Sequence, residues 1–322
     1  MVSGLLLLLL GLFILYPIAM VFGEGLFDGS IPTLRHVTTF LTTPYLLRSL
    51  YHSFVVSLGG TALAVSLAFL FAFTVHRTRL PGRRLFAAFA LLPLVSPPIV
   101  LSMALVLLFG RQGIATPSLH AAFGFNDLYG PVGIILAMGL TFLPHAYLLL
   151  ETDLSRLDTP VEEAARSLGA RFWTLMRRIT LPMAMPALVR ASLMVFILCM
   201  TDFGNPMMIG GDYKVAAVYL FDLIYRSVDD VPVSAAMGAA IVIPCLVAYL
   251  LAQRIARSIR LTGGGRGAAP GEGSLDLPPL ARGLLTSICG ATALLIAALY
   301  AAIVTGAFVV AIGADYTPTL KH

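Results

Sequence analysis

The sequence contains few charged residues. Asp, Glu, Lys and Arg together make up 11% of the 322 residues, whereas hydrophobic residues make up 58%. A soluble domain carries about 25% charged residues, so this chain lacks the polar surface that a soluble enzyme needs. The composition predicts an all-α, polytopic membrane protein, because one helical crossing takes about 20 residues.

Lysine and cysteine are also scarce. The two lysines, Lys214 and Lys321, lie outside any Gly-Lys-Ser/Thr sequence, in which a lysine reaches the phosphates of a bound nucleotide. Any ATP hydrolysis linked to this chain therefore belongs to another polypeptide. The three cysteines lie far apart in apolar runs, which indicates neither a disulfide framework nor a metal cluster.

Catalytic patterns are missing as well. The six histidines show no metal-ligand spacing, and the Gly-x-Ser-x-Gly nucleophile sequence does not occur. The net charge of +5 is not concentrated in a basic run with interleaved aromatic residues, so a nucleic-acid partner is not expected. We predict a protein that is not an enzyme and has no catalytic residue, metal site or cofactor.

Seven apolar stretches are long enough to cross a bilayer. They contain little charge, because a charge at the bilayer centre costs about 2.5–3.5 kcal/mol. Prolines inside them, including Pro97 and Pro98 in the third stretch, predict kinks. The stretches run approximately over residues 5–22, 52–75, 85–110, 130–150, 186–203, 233–252 and 284–312.

Basic residues are distributed unevenly between alternate loops. Six lie in one set of loops and fourteen in the other. Positive residues concentrate in cytoplasmic loops, so the set of fourteen is predicted to be cytoplasmic, together with the N-terminus. The C-terminal residues then emerge outside. The cytoplasmic set comprises Arg77, Arg79, Arg83, Arg84, Arg156, Arg166, Arg171, Arg177, Arg178, Arg254, Arg257, Arg260, Arg266 and Arg282.

The end of the chain repeats features of its beginning. Leu15-Tyr16 is followed by Pro32-Thr33-Leu34-Arg35-His36, and Leu299-Tyr300 is followed by Pro318-Thr319-Leu320-Lys321-His322. An internal repeat is one explanation, and chance similarity between two external loops is the other. The repeat predicts a membrane module at 1–253, a glycine-rich cytoplasmic linker at 254–283, and the first helix of a second, truncated module at 284–322.

The cytoplasmic loop at 155–182 has the pattern of two short helices. Thr159-Pro160 and Glu162 form a helix start with a capping-box glutamate, and Gly169 provides a helix end. Between them an apolar stripe follows helical spacing, and a second amphipathic segment begins at Phe172. The stripe consists of Val161, Ala164, Ala165 and Leu168. Periodicity alone allows it to pack on its own membrane domain or on a partner protein.

The same loop resembles the signature loop of permease subunits of binding-protein-dependent ABC importers. The resemblance rests on Glu163-Ala164-Ala165, Gly169 and Ile179-Thr180-Leu181-Pro182 at the spacing of that loop. It extends from about the first to the sixth span, and the seventh is similar to the start of a second module in fused permeases. The resemblance implies a bacterial inner-membrane protein in which this loop docks on a cytosolic ATPase dimer. The implied coupling residues are Glu163, Ala164, Ala165, Gly169, Ile179, Leu181 and Pro182.

The resemblance also implies the other partners. These are an external solute-binding protein, the lipid bilayer, and a second permease module that is either fused or separate. A secondary transporter, which needs no ATPase, is the competing class. It predicts an ion route of charged residues through several spans, whereas these spans are nearly free of charge.

A second candidate region lies at the end of the fifth apolar stretch. Asp202 is an ionisable residue at membrane depth, and Gly204 and Pro206 break the span directly after it. Asp202 and Asn205 are therefore candidates for the substrate pathway, although a plain helix end that reaches external water also fits. The segment is similar to that of ferric-iron-type permeases, which implies ferric iron as the solute. Aminoethylphosphonate, thiamine or a polyamine is the alternative solute.

Overall fold

The computed structural model describes residues 2–28, 31–124, 126–155, 159–226, 231–261, 277–311 and 315–318, and most of these residues are helical. Two short hairpins, β1 (Phe27–Asp28) with β2 (Ile31–Pro32) and β3 (Val309–Ala311) with β4 (Asp315–Pro318), accompany the helices. Irregular helical turns lie at Gly11–Leu15, Leu92–Val95 and Met176–Thr180. The α-helices are α1 (Val2–Leu10), α2 (Tyr16–Leu26), α3 (Arg35–Thr42), α4 (Pro44–Arg77), α5 (Arg83–Leu91), α6 (Pro98–Phe109), α7 (Thr116–Phe123), α8 (Pro131–Leu154), α9 (Thr159–Ser167), α10 (Phe172–Leu175), α11 (Leu181–Thr201), α12 (Gly204–Ile209), α13 (Ala216–Arg226), α14 (Val231–Leu261) and α15 (Pro279–Gly306).

Six helical segments among the described residues are long and apolar enough to span a membrane. They are Gly4–Leu26, Pro44–Arg77, Pro131–Leu154, Phe172–Thr201, Val231–Arg257 and Pro279–Gly306. They confirm the predicted all-α, polytopic class. A seventh crossing requires the bent pair Arg83–Val95 and Pro98–Phe109 to be taken together as one span.

The third predicted span is not one straight helix. Its two halves, Arg83–Val95 and Pro98–Phe109, meet at an angle of 107°. Ser96 and Pro97 between them have extended ψ values of 148° and 147°. Proline disfavours the helical conformation in the residue before it and has no N–H to donate. The kink predicted from Pro97 and Pro98 is therefore a complete break.

Helices α11, α14 and α15 extend beyond the spans that the sequence predicts. The fifth span was predicted from Pro186, but α11 already begins at Leu181 and contains Pro186 within it. Prolines are tolerated inside membrane helices because neighbouring groups satisfy the freed carbonyl. The predicted linker is also shorter at both ends, since α14 continues to Leu261 and α15 begins at Pro279. Its residues 262–276 lie outside the described part of the chain.

The centre of the protein is the contact between α4 and α8. Residues of one face of each helix, such as Ala64 and Ala68 on α4 and Ala137 and Leu140 on α8, form the main buried core. Glycines allow this close approach: a Cβ added at Gly139 would lie 2.5 Å from Cδ2 of Leu63. Small residues at helix interfaces are typical of membrane proteins, in which packing drives helix association.

The close α4–α8 contact gives a stability prediction. Replacing Gly139 with Ala is expected to destabilise the protein by about 1–3 kcal/mol, because the added methyl group displaces Leu63 in a packed core. Unfolding in detergent can be followed by labelling of the buried cysteines Cys199 and Cys289, which become reactive as the bundle opens. The matched control is Gly283→Ala in α15, where an added Cβ has no atom within 4 Å. Equal midpoints for the two variants would contradict the prediction.

The bundle has two distinct ends. His76, near the end of α4, contacts Glu151 of α8 at 3.0 Å, so the last turns of these helices lie at the same end. This end also carries Arg77 and Arg83, and it is called the arginine-rich end below. The starts of α4 and α8, at Pro44 and Pro131, form the opposite end.

Helices α2 and α15 are followed by similar structures. Helix α2 leads into the hairpin β1–β2, in which Pro32 pairs with Phe27. Helix α15 leads into β3–β4, in which Pro318 pairs with Val309. Helix α15 packs on the module through buried residues such as Cys289 and Ile296, whereas most residues of α1 and α2 are exposed.

Candidate functional site

The loop between α8 and α11 forms a separate element at the arginine-rich end. Helix α9 ends where predicted: Gly169 has a φ of +84°, a left-handed conformation that favours glycine. The N–H of Ala170 donates to the carbonyl of Ala165 at 3.0 Å and closes the helix end. The chain then enters α10 and leads directly into α11. Residues 168–171 form the turn after α9, and from Phe172 the chain is helical without interruption into α11.

The predicted apolar stripe of α9 points away from the bundle. Leu168 is 89% exposed and Val161 44% exposed, and Ala164 is exposed as well. Ala165 is half-buried and packs against a hydrophobic cluster that includes Phe73 and Leu175. Among the described residues, most of the stripe therefore has no surface of its own chain against it. This finding disfavours the interpretation in which the stripe packs on the membrane domain.

The second amphipathic segment has the opposite arrangement. Leu175 is buried and Phe172 partly buried in a cluster with Phe73 of α4 and Leu285 of α15. Trp173, on the other side, is 47% exposed. This segment anchors the loop on the bundle. Of the remaining predicted coupling residues, Glu163 and Pro182 are exposed, and Ile179 and Leu181 are half-buried.

Glu162 has a different place from the one predicted. Its sequence position suggests a capping-box residue, but the side chain is buried and forms an ion pair with Arg77, the last residue of α4. Its second carboxylate oxygen accepts a hydrogen bond from Oγ1 of Thr180 at 2.9 Å. The sequence does not predict the contacts of Glu162 with Arg77 and Thr180, because contacts between distant segments leave no local pattern.

The predicted pathway residues Asp202 and Asn205 lie together in a buried polar cluster. The carboxylate of Asp202 accepts hydrogen bonds from Nδ2 of Asn205 at 2.6 Å and from the N–H of Gly204 at 3.1 Å. Oδ1 of Asn205 accepts from Oγ of Ser102 at 2.5 Å and lies 3.5 Å from Oγ1 of Thr141. The cluster joins the break between α11 and α12 to α6 and α8.

A vestibule with a volume of about 970 Å³ opens at the opposite end. Four tyrosines line it, and α4 contributes Arg48 and His52 to its wall. The ring of His52 stacks on Tyr213 at a centroid distance of 3.7 Å, and its Nδ1 donates to the carbonyl of Lys214 at 3.0 Å. The tyrosines are Tyr45, Tyr129, Tyr213 and Tyr219.

Two basic residues of the vestibule wall, Arg111 and Lys214, form ion pairs. Arg111 contacts Asp127 at 3.2 Å, and Lys214 contacts Asp222 at 2.7 Å. Burial raises the pKa of the Tyr213 phenol, with a smaller contribution from Tyr51, whereas Arg48 lowers it. The sequence does not predict the vestibule, because its wall comes from separate segments of the chain.

The described residues contain no cluster of three or more His, Cys, Asp or Glu side chains that could hold a metal ion. A helical bundle carries a polar cluster at mid-depth, a vestibule at one end and an exposed helix at the other.

Comparison with known families decides the class. The family described as "Binding-protein-dependent transport system inner membrane component" matches residues 60–261, which include the α9 loop and the Asp202 cluster. The chain belongs to this family. This inner membrane component is thus a multi-pass transport protein, and the family resemblance inferred from residues 163–182 is confirmed.

Two relatives match nearly the whole chain. The putative ferric transport system permease protein FbpB 1 of Haemophilus influenzae is 32% identical over 98% of this chain and 50% of its own length. The ferric transport system permease protein FbpB of Actinobacillus pleuropneumoniae is 32% identical over 98% of this chain and 46% of its own length. The inner membrane component described here spans about half the length of these relatives.

A solved structure shares the fold. A chain from the crystal structure of a bacterial alginate ABC transporter, in complex with an alginate pentasaccharide-bound periplasmic protein, matches with a TM-score of 0.64 at 15% identity. The match covers 81% of this inner membrane component and 93% of that chain. At this identity the similarity shows the arrangement of helices alone.

Proposed function

We propose that this inner membrane component forms the solute pathway of an ATP-driven importer and that a separate cytosolic ATPase docks on α9. The exposed stripe of Val161, Ala164 and Leu168 carries the proposal. A helix of nine residues is marginal in water, and an uncovered apolar stripe outside the membrane is unfavourable. A partner protein that covers the stripe resolves both problems.

The proposed orientation follows from the position of α9. The helix lies at the arginine-rich end, and positive residues concentrate on the cytoplasmic side of a membrane. A cytosolic ATPase then meets α9, and an external binding protein meets the vestibule at the opposite end. The N-terminus is cytoplasmic in this orientation. The coupling residues remain those proposed from the sequence: Glu163, Ala164, Ala165, Gly169, Ile179, Leu181 and Pro182.

We also propose that a second module completes the pathway. The chain spans about half of its ferric-transport relatives. Helix α15 and its hairpin repeat the order of α2 and its hairpin, which supports the interpretation of residues 284–322 as the opening of a second copy. The repeat places the boundary between the two modules within residues 254–283, a segment whose two ends belong to α14 and α15.

The proposed route of the solute leads from the vestibule past Asp202 and Asn205. Gly130 in the vestibule wall donates its N–H to the carbonyl of Ile209 at 2.9 Å. Ile209 is the last residue of α12, the short helix that also contains Asn205. The polar cluster therefore lies along the wall that continues from the vestibule. Ferric iron is the proposed solute, because two relatives are named as ferric transport permeases.

The proposal predicts uptake that requires ATP. Vesicles that contain the complete permease and its ATPase are expected to accumulate ferric iron from a loaded external binding protein when ATP is inside the vesicles, and to show background uptake without it. Thiamine offered in the same way tests the alternative solute. Uptake driven by an ion gradient without ATP would contradict the proposal and would favour a secondary transporter.

A further inference from the structure

A buried ionic contact joins α9 to the membrane helices. Arg77 is 1% exposed and Glu162 is 2% exposed, and a nitrogen of the guanidinium donates to Oε2 of the carboxylate. Oε1 of the same carboxylate accepts a hydrogen bond from Thr180, which is fully buried at the start of α11. One side chain of α9 therefore contacts the end of α4 and the start of α11. These three residues are called the joint.

The joint is a buried polar attachment of α9 to the bundle. The opposite face of α9, with Val161, Ala164 and Leu168, is exposed. Nε of Arg77 has no hydrogen-bond partner within the described part of the chain. The carboxylate of Glu162 compensates the buried positive charge of this guanidinium. Removal of one partner from such a pair leaves an uncompensated charge, which is far costlier than removal of both.

The two helices that meet at the joint lead to the two parts of the proposed route. Helix α4 has 34 residues, about 50 Å of helix at 1.5 Å per residue, and its other end places Arg48 and His52 in the vestibule wall. Helix α11 ends directly before Asp202. A displacement applied at Glu162 therefore acts on the helix of the vestibule and on the helix of the buried cluster together.

The chemistry of the joint suits the transmission of a displacement. Charge-assisted hydrogen bonds fix the direction of a contact, whereas an apolar contact permits sliding. The ion pair between Arg190 and Asp153 at the same end is partly exposed, with side chains 30% and 36% accessible to solvent. It connects α8 to α11 and does not involve α9. Water competes for such a pair and weakens it.

We propose that Arg77, Glu162 and Thr180 are positioning residues that transmit the movement of α9 to α4 and α11. This inference rests on the proposed function, because it takes α9 as the docking site of the ATPase. The joint does not touch the solute or the nucleotide. It determines how much solute is transported for each ATP that the ATPase hydrolyses.

The test compares transport with hydrolysis. Complete permease, ATPase and binding protein loaded with ferric iron are reconstituted in vesicles, and iron taken up is divided by ATP hydrolysed. Glu162→Gln is expected to keep the ATPase bound and hydrolysing, while iron per ATP falls at least tenfold. The charge-reversed double variant, Arg77→Glu with Glu162→Arg, is expected to recover at least a third of the wild-type ratio, since it restores the pair.

Two further variants separate coupling from stability. Asp153→Asn removes the partly exposed pair with Arg190 at the same end, and it is expected to keep the wild-type ratio within twofold. Thr180→Val removes one hydrogen bond of the joint and retains the shape of the side chain. It is expected to lower the ratio two- to threefold, and it replaces Glu162→Gln as the test if that variant does not insert. An unchanged ratio in the inserted joint variants would overturn the inference while the proposed function stands.

A second measurement does not depend on the solute. Spin labels at Leu47 of α4 and Val132 of α8, both exposed at the vestibule end, report the distance between these helices. In the permease–ATPase complex this distance is expected to change when ATP with vanadate is added, and to stay constant in Glu162→Gln. If wild-type vesicles take up no iron but this distance responds in the wild type and not in Glu162→Gln, the proposed solute is wrong and the joint stands. No response in the wild type, or an equal response in the variant, would overturn the joint.

Discussion

Replacing Leu168 with Asp is expected to abolish both ATPase binding and solute uptake. Leu168 is 89% exposed, so the change costs the permease itself little stability. Burial of a leucine side chain at an interface is worth about 1.5–3 kcal/mol, and an aspartate there adds the cost of burying a charge. A total loss of about 3 kcal/mol or more corresponds to at least a hundredfold weaker ATPase binding, at 1.4 kcal/mol for each tenfold change.

Binding of the purified ATPase to the permease in detergent or nanodiscs measures this loss directly. The control variant is Ser167→Asp, which adds the same charge at the neighbouring exposed position outside the stripe. It is expected to bind the ATPase within threefold of the wild type. If Leu168→Asp binds the ATPase as well as Ser167→Asp does, the stripe is not the docking surface. The exposure of the stripe then no longer supports the proposed function.

The sequence predicts the local elements of the proposed docking region well. Gly169 ends α9 because a left-handed residue follows the last helical turn, and this requirement is visible in the residue type itself. The helical spacing of Val161, Ala164 and Leu168 likewise predicts a stripe. The direction in which the stripe faces is not local information. It depends on which other side chain of α9 is held by the bundle, and that side chain is Glu162.

Contacts between distant segments explain what the sequence could not predict. Arg77 and Glu162 are separated by 85 positions, and each has an ordinary local interpretation, as a basic residue at the end of a span and as a helix-capping acid. The vestibule is a similar case, because α4 and the loops before α8 and α13 each contribute a few polar residues. No single segment carries a pattern that predicts either feature.

The third span shows a different limit. Pro97 and Pro98 predict a kink, but the size of the bend depends on what lies beside it. Tyr300 of α15 contacts Oγ of Ser96 at 2.6 Å and donates to the carbonyl of Leu92 at 3.2 Å, so the helix break is stabilised by a residue more than 200 positions away. Polar groups released by the break find partners there, as the membrane interior requires.

The Asp202→Ala variant is expected to lose at least tenfold in solute uptake while it retains ATPase binding. Asp202 accepts the hydrogen bonds that hold Asn205 and the start of α12, and Asn205 in turn connects Ser102 of α6 to this break. Without the carboxylate, the buried amide of Asn205 and an N–H of α12 lose their acceptor, at a cost of about 1–3 kcal/mol for each unsatisfied group. The wall below the vestibule is then no longer held in one arrangement.

Uptake in reconstituted vesicles and ATPase binding, measured on the same preparation, separate this effect from a loss of docking. The matched control is Thr201→Val, which changes the exposed neighbour whose hydroxyl donates to the carbonyl of Ile197 in its own helix at 2.9 Å. We expect it to transport normally. A pathway role predicts that Asn205→Leu lowers uptake as strongly as Asp202→Ala, because both remove the polar contact at the same point of the route. Normal uptake by both inserted variants would instead make Asp202 a plain helix end, whose hydrogen bonds stabilise the turn without taking part in transport.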